Sequence, residues 1–569
     1  FQSGTRNTTV GTFTMADNTG NGNNNTAMGY GALGANTSGQ DNVAIGSGDG
    51  ATYAGPLGAN QGGAQNVSVG NGSLSSNVSG NFNTAIGYLA GTSYQSASNT
   101  TSVGKSAARY RTGDNNTAIG IEALQGVSGG TNTGINSTAV GYQALRNLTS
   151  GNYNTAVGLQ AGLAVSTQTY NTMIGYQAGY ASAANGKTLV GHGAGGLGVN
   201  DGYSTFVGYL AGHYNETYTN TGVGSQALGT NTTGYGLTAM GDRALFSNLG
   251  GTNNTAMGGL AGYSNSTGSN NTSIGLYASY HPLGSGNTAL GSHALYGVSG
   301  GSSTGSNNTA VGYQAGYSNT TATHNTFIGR GSGYSTTTGG DNVALGSSAL
   351  YTNAGGTSNT SIGYSSMYYN ISGTNNVALG KDALQKNTTA NSNVAIGYTA
   401  GYGATTGSLN LSIGTGAGYT NTTAQGNIMI GHNSGRLASS TTANNGYGFN
   451  TCIGVDAGYS LSTGVQNTFI GSAYNHSAGR YVTTGSNNVI IGGYDGNQGG
   501  LDIRTSSNNI VLSDGDGNPR VRIDNEGAVK IPGSVDNPGS SGEVGIRFLP
   551  IGFLDISRSS GQGLNINRE

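Results

Sequence analysis

A five-residue signature returns from one end of this chain almost to the other, so any fold it adopts must repeat at the same pitch. In Asn308-Thr309-Ala310-Val311-Gly312, with the glycine counted as zero, Asn stands at −4, Thr or Val at −3, Ala or Ser at −2 and an aliphatic residue at −1. Ala usually follows at +3 and Leu or Gly at +4. The zero glycine recurs 28 times between Gly11 and Gly492, most steps are 16 to 18 residues, and those from Gly312 to Gly431 are all 17. Self-similarity at so short a period predicts a solenoid, in which no repeat buries its apolar face alone and each stacks on its neighbours.

The period overrides the division into three or four globular domains that 569 residues would otherwise suggest. Charged residues are only 7% of the chain, against about a quarter in ordinary globular proteins, so its polarity comes from Asn, Ser, Thr and Gly. Such polarity would suit a disordered segment, but disordered segments do not return an aliphatic residue at a fixed interval. No basic run offers the clustered cations that nucleic acid requires, and no 18-residue apolar stretch predicts a membrane span. The single cysteine, Cys452, occupies a −2 position and reads as a small packed residue. A start at Phe1, with neither an initiating Met nor a signal peptide, is what a processed or trimmed chain would show.

Alternation along Thr-Ala-Val places −3 and −1 on one face of a short strand and −2 on the other. The expected fold is all-β: a parallel β-solenoid or β-roll of about 17 residues per coil, each coil holding two short strands and a polar loop. At about 4.8 Å per coil, 28 coils would make a rod roughly 130 Å long. The aliphatic −1 row and the Thr or Val of −3 are expected to fill the coil, with Tyr313-Gln314-Ala315-Gly316 forming a second strand. The small −2 residues would then face outward and let another chain approach. Burial within one coil is worth on the order of 3–6 kcal/mol, whereas ordering its backbone costs on the order of 17–34 kcal/mol. Hydrogen bonds between coils and self-association, most simply as a homotrimer, are expected to offset the difference.

The recurrent −4 Asn predicts a ladder of stacked amides at one corner. Tyrosines favour +1, as at Tyr142, Tyr176, Tyr313 and Tyr398, and +5, as at Tyr317 and Tyr402. They should form outer aromatic ladders that stiffen the stack, and these six are the candidate surface-recognition residues, because Tyr beside Ser, Gly and Asn suits sugar binding. Five steps are longer: Gly46 to Gly70, Gly120 to Gly141, Gly291 to Gly312, Gly431 to Gly454 and Gly471 to Gly492. Insertions in a solenoid often map to one binding face, and the stretches 49–64 and 436–448 are the candidates for specific contacts. The repeat region is assigned to residues 1–500 and a β-rich C-terminal region, incomplete or processed, to 501–569.

Of the 40 charged residues, 16 lie between Asp502 and Glu569. There Asn509-Ile510-Val511-Leu512-Ser513 reads as a last degenerate coil, and Asp514 to Pro519 as a turn before the alternating Val521-Arg522-Ile523-Asp524. Asp514, Asp516 and Asn518 have the opening spacing of a calcium loop, but the twelfth position is Asn525 where such loops carry Glu, which favours a plain hairpin. The seven histidines share no spacing, and no helix-forming pattern supports a nucleophile turn or a phosphate loop. A non-catalytic chain without cofactor is expected.

Asn171 to Gly179 and Asn308 to Gly316 resemble repeats of the long tail fibre proteins of tailed bacteriophages, and are similar to the Val-Ala-Ile-Gly repeats in the trimeric β-roll heads of autotransporter adhesins. Ser513 to Gly527, with Ile556 to Gly561 and Leu564 to Arg568, resembles the segment before an endosialidase-type intramolecular chaperone. The resemblance implies a trimeric virion fibre that contacts other tail proteins and a host-surface glycan or protein. A bacterial surface adhesin or extracellular filament is the alternative. An ice-binding solenoid is a third reading, weakened if the Val-bearing −3 face lies inside.

Overall fold

The computed structural model describes residues 4–48, 50, 54–198, 202–282, 284–298, 303–438, 446–473, 475–532, 543–548 and 554–558. No α-helix occurs among them. The chain divides into two compact units, Phe1–Gly286 and Asn287–Glu569. Each is a parallel β-solenoid, with one three-residue strand per coil formed by positions −3 to −1. The first unit stacks sixteen such strands, from Thr8–Val10 to Thr272–Ile274. The second stacks twelve, from Thr288–Leu290 to Val489–Ile491, and Ile510–Ser513 pairs parallel with the last as a further rung. The degenerate coil expected at Asn509 is therefore a true one, and the ladder runs on past residue 500.

Register is uniform, so like meets like: Thr309 lies beside Thr326, Ala310 beside Phe327 and Val311 beside Ile328. The −3 amide donates to the −4 carbonyl of the next coil, as Thr309 does to Asn325 at 2.8 Å. The zero glycine donates back to the preceding −1 carbonyl, as Gly312 does to Leu290 at 2.8 Å.

The faces of the strand are the reverse of the expectation above. From Ala27 on, the −2 residue points into the coil and is buried, whereas −1 is half-buried or exposed in every coil and −3 is nowhere buried; in the first strand Thr9 is exposed. Inside each coil the −2 residue meets the buried Ala or Ser of +3 and the residue at +4. The −2 and +4 residues are matched by volume. Where −2 is Ala, +4 is usually Leu, as in Ala118 with Leu124 and Ala344 with Leu350. Where −2 is large, +4 is Gly: Met173 with Gly179, Phe206 with Gly212, Phe327 with Gly333 and Met429 with Gly435, and Phe469 is matched by Gly479, which the insertion after Gly471 carries from +4 to +8. A Cβ on Gly212 or Gly333 would lie 2.5 or 2.4 Å from the phenylalanine ring of its own coil. The −2 row is thus core, and it cannot be the chain–chain surface expected from its small residues.

The second strand expected over 313–316 is a turn. Positions +2 and +4 have left-handed backbone, with φ of 56° at Gln314 and 60° at Gly316, and an extended strand cannot carry that alternation. Its amides still bond between coils, as Gly316 does to the Ser332 carbonyl at 2.9 Å. The zero glycine is demanded twice over. Gly312 has φ of 134°, and a Cβ there would sit 2.7 Å from the Gly329 carbonyl oxygen of the next coil. Gly312→Ala is expected to cost about 2–3 kcal/mol, read as a lower urea midpoint, with no loss if the ladder is looser than described.

Two amide ladders hold the polar corner. In the predicted one, Asn325 donates its backbone amide (3.0 Å) and its side-chain amide (3.1 Å) to Asn308 Oδ1, and its side-chain amide also reaches the Gly339 carbonyl at 3.0 Å. The second, at +7, went unread: Asn370 Nδ2 donates to Asn353 Oδ1 at 2.8 Å, and Asn387 Nδ2 to Asn370 Oδ1 at 2.9 Å. Both ladders converge on the +10 carbonyl, where Gly373 accepts Asn359 Nδ2 at 2.8 Å and Asn370 Nδ2 at 3.1 Å. Buried amides satisfied in this way keep each coil in one register.

Beyond Ser513 the strand direction alternates. Pro519–Ile523 pairs antiparallel with Ile510–Ser513, followed by Val529–Pro532, Glu543–Phe548 and Leu554–Arg558. The expected hairpin-rich region is present, with a small extra hairpin of Asn497–Gln498 and Leu501–Asp502.

Candidate functional site

Because the −2 row fills the coil, the chemistry offered outside is that of −3, −1 and the turns. The −1 row is aliphatic in every coil, and its members are well exposed: Ile328 at 38%, Leu345 at 42% and Leu379 at 44%. Beside it runs −3, which from Thr84 to Thr272 is twelve successive threonines in register and elsewhere includes Val, Leu and Ile. Neither row carries a charged or amide side chain.

The six candidate tyrosines fall into two environments. Tyr317 belongs to a stack of five rings, Tyr296, Tyr317, Tyr334, Tyr351 and Tyr368, with centroids 4.8–5.0 Å apart and planes within 5° of parallel. Tyr402 stacks on Tyr419 at 4.9 Å and carries the Lys386 ammonium 5.0 Å from its ring centre. Sugars stack on open ring faces; at Tyr317 both are covered by its neighbours, and only edges and hydroxyls meet solvent. Partial burial first, and then neighbouring phenols, raise the pKa of Tyr334, Tyr368 and Tyr402. At +1 the rings are more open. Tyr142 and Tyr313 are exposed, Tyr176 stacks on His192 at 4.8 Å, and the Lys381 ammonium lies between Tyr364 and Tyr398 at 5.8 and 5.4 Å. The six do not form one pocket. They lie along two rows on four coils, Tyr313 and Tyr317 sharing one and Tyr398 and Tyr402 another.

Insertions leave the coil at two corners, contrary to the single face expected. Leu33 at +4 bonds to Pro56 O (3.0 Å), the pairing that uninterrupted coils make to +3, while Gly48 at +2 keeps its regular bond to Tyr30 O (3.1 Å), so the insertion after Gly46 falls between +2 and +3. Ala478 likewise bonds to Gly471 O (3.3 Å) as Ala315 does to Gly312 O (3.3 Å), placing that insertion at the same corner. After Gly120, Gly291 and Gly431 the turn is regular through +6, where Gly126, Gly297 and Leu437 bond to Arg146, Tyr317 and Tyr459, and the extra residues follow. Residues 49, 51–53, 299–302, 439–445 and 474 of these stretches lie outside the described residues, as do 559–561 and 564–568 of the C-terminal segments used for the family resemblance.

Asp514 is engaged by its own hairpin. Its Oδ1 accepts the amides of Asp516 (3.1 Å) and Asn518 (2.8 Å), and its Oδ2 accepts Arg520 Nε at 2.9 Å. The backbone bond from Asn518 is the main cause holding this carboxyl below its usual range. No group of three or more His, Cys, Asp or Glu among the described residues could hold a metal. Millimolar calcium is accordingly expected to leave the melting temperature unchanged, as measured by scanning calorimetry with and without chelator; a rise of several degrees would assign the loop to the ion.

Two buried cations replace ladder residues. Arg111, at +7, donates to the carbonyls of Leu148 (2.9 Å), Thr149 (3.1 Å) and Gly134, stapling its own coil to the two that follow. Burial lowers its pKa to about 10. Lys187 stands where −4 is normally Asn, and burial lowers its amine to about 7. No family model, curated protein or solved structure matches this chain.

Proposed function

We propose that this chain is a structural subunit of a bacteriophage tail fibre, an elongated homotrimer that carries the virion's contact with a host-surface glycan or protein. The uncharged aliphatic row on the outside of stacked coils carries this reading. A surface of that kind belongs to an assembly, and a coil that grows by repetition suits a spacer better than a catalyst. The repeat signature and the C-terminal segment supply the phage assignment. Receptor contact falls to the insertions and the exposed +1 tyrosines, where the ladder offers something other than itself. Antibodies raised against residues 287–498 should decorate tail fibres in electron micrographs of virions and block adsorption. Decoration of a bacterial envelope would replace this reading with the adhesin.

A second reading gains from the outward face. Twelve in-register threonines between Thr84 and Thr272 form the regular hydroxyl and methyl array that ice binding requires, and the objection that −3 lies inside no longer holds. Measurable thermal hysteresis in the purified chain would favour it over the fibre.

A further inference from the structure

We propose that the surface formed by rows −3 and −1 is the contact through which copies of this chain pack on one another; the proposal deepens the fibre reading by naming the face and the partner. In the second unit the row runs through Ile328, Leu345, Ile362, Leu379 and Ile396, with Thr326, Val343, Thr360, Val377 and Val394 beside it. Aliphatic side chains aligned rung after rung, about two-fifths exposed at Ile328, Leu345 and Leu379 and half-buried at Ile362 and Ile396, are a continuous apolar surface, unlike the scattered apolar residues of ordinary monomers.

Three observations commit the occupant to a second copy. The row repeats at the pitch of the ladder, so a partner matching it along its length must offer apolar groups at that same pitch, as another copy does by construction. A strip about 10 Å wide and 4.8 Å per coil gives on the order of 600 Å² for the thirteen parallel strands of the second unit, about three-quarters of the roughly 800 Å² per partner of a specific interface. The strip lacks charge, so neither a polyanion nor a charged partner is selected by it, and β-branched Thr, Val and Ile pack with little loss of side-chain freedom. The −2 row cannot serve instead, because it is consumed inside the coil.

The test is the mass of the full-length chain by sedimentation equilibrium at micromolar concentration. The unaltered chain is expected to be a multimer. Ile328→Lys, Leu345→Lys and Leu379→Lys together should lower its mass to the monomer while the far-ultraviolet circular dichroism is retained. Thr321→Lys, Thr338→Lys and Ser372→Lys, exposed on another row, should leave it unchanged. A monomeric unaltered chain, with or without thermal hysteresis or binding to neutral phosphatidylcholine vesicles, overturns the proposal. So does a multimer indifferent to the first three lysines. Failure of adsorption in a chain that still forms multimers would refute the fibre reading and leave this contact standing.

Discussion

Phe327→Ala is expected to destabilise the second unit by about 3–5 kcal/mol, and adding Gly333→Leu to the same chain should recover a large part of that loss. Phe327 is fully buried, and its ring occupies the space that the next coil fills from the other side with its +4 residue, Leu350. Removing the ring leaves a void between Ala310 and Ala344, its partners in the ladder. Leucine at 333 would recreate the pair seen in the next coil, Ala344 with Leu350, whose +4 backbone is also left-handed, with φ of 54° against 59° at Gly333. Gly333→Leu alone should be destabilising, because its Cβ meets the phenylalanine ring at 2.4 Å. Hydrogen exchange of the Thr326–Ile328 amides would locate the effect, since a stacked array opens locally before it opens as a whole. Independent, additive costs for the two substitutions would refute the volume pairing.

Lys187→Met is expected to stabilise the first unit at pH 6 by on the order of 4 kcal/mol and to flatten its stability between pH 7 and 10.5. The amine is buried, it donates to the Gly198 carbonyl at 3.5 Å, and burial lowers its pKa from 10.5 to about 7. Below pH 7 both folded and unfolded chains carry the proton, and the folded state bears the full cost of the buried charge. Between 7 and 10.5 the unfolded chain binds more protons than the folded one, so stability rises with pH. Methionine has similar length and no charge. The difference between the two chains' urea midpoints, taken from pH 6 to 10, cancels tyrosine ionisation common to both. A constant difference across that range would show that the amine keeps its ordinary pKa in the fold.

Much of this architecture was legible from spacing alone. The 17-residue step, the −4 amide ladder, the last coil at Asn509 and the hairpin after Asp514 all follow from residues whose geometry is local. The inside and outside of the coil were misread because Ile, Val and Leu at −1 are the most apolar residues of the signature, and apolar residues ordinarily lie inside. The correcting signal was present in the exceptions. Met173, Leu189, Phe206, Phe327 and Met429 all replace the small −2 residue and are followed by Gly at +4, and Phe469 is followed by Gly479 beyond its insertion. Substitution by bulk with a compensating loss of volume is what a packed interior shows, whereas a contact surface of small residues tolerates no phenylalanine. The turn taken for a second strand was hidden for another reason: Leu, Gln and Ser at +2 and +4 adopt left-handed backbone because the stack imposes it, against their own preference. The +7 ladder was obscured where Tyr94, Arg111, Leu148 and Val165 take the place of Asn. The candidate tyrosines were placed correctly on outer rows, but spacing could not reveal that stacking would cover the faces of the +5 rings.

The claim on which the rest depends is that −2 lies within a single coil and −1 outside it, and adjacent residues of one strand can test it. Cys452, at −2, is buried beside Phe469 of the next coil and Gly458 of its own, and burial raises its thiol pKa to about 12. Labelling by a charged thiol reagent should be measured in the assembled chain and in the chain separated by the three −1 lysines. Cys452 should remain unreactive in both, while a cysteine placed at 453 in a Cys452→Ala chain should become reactive on separation. Rapid labelling of Cys452 once the copies separate would put the −2 row between chains and contradict the account.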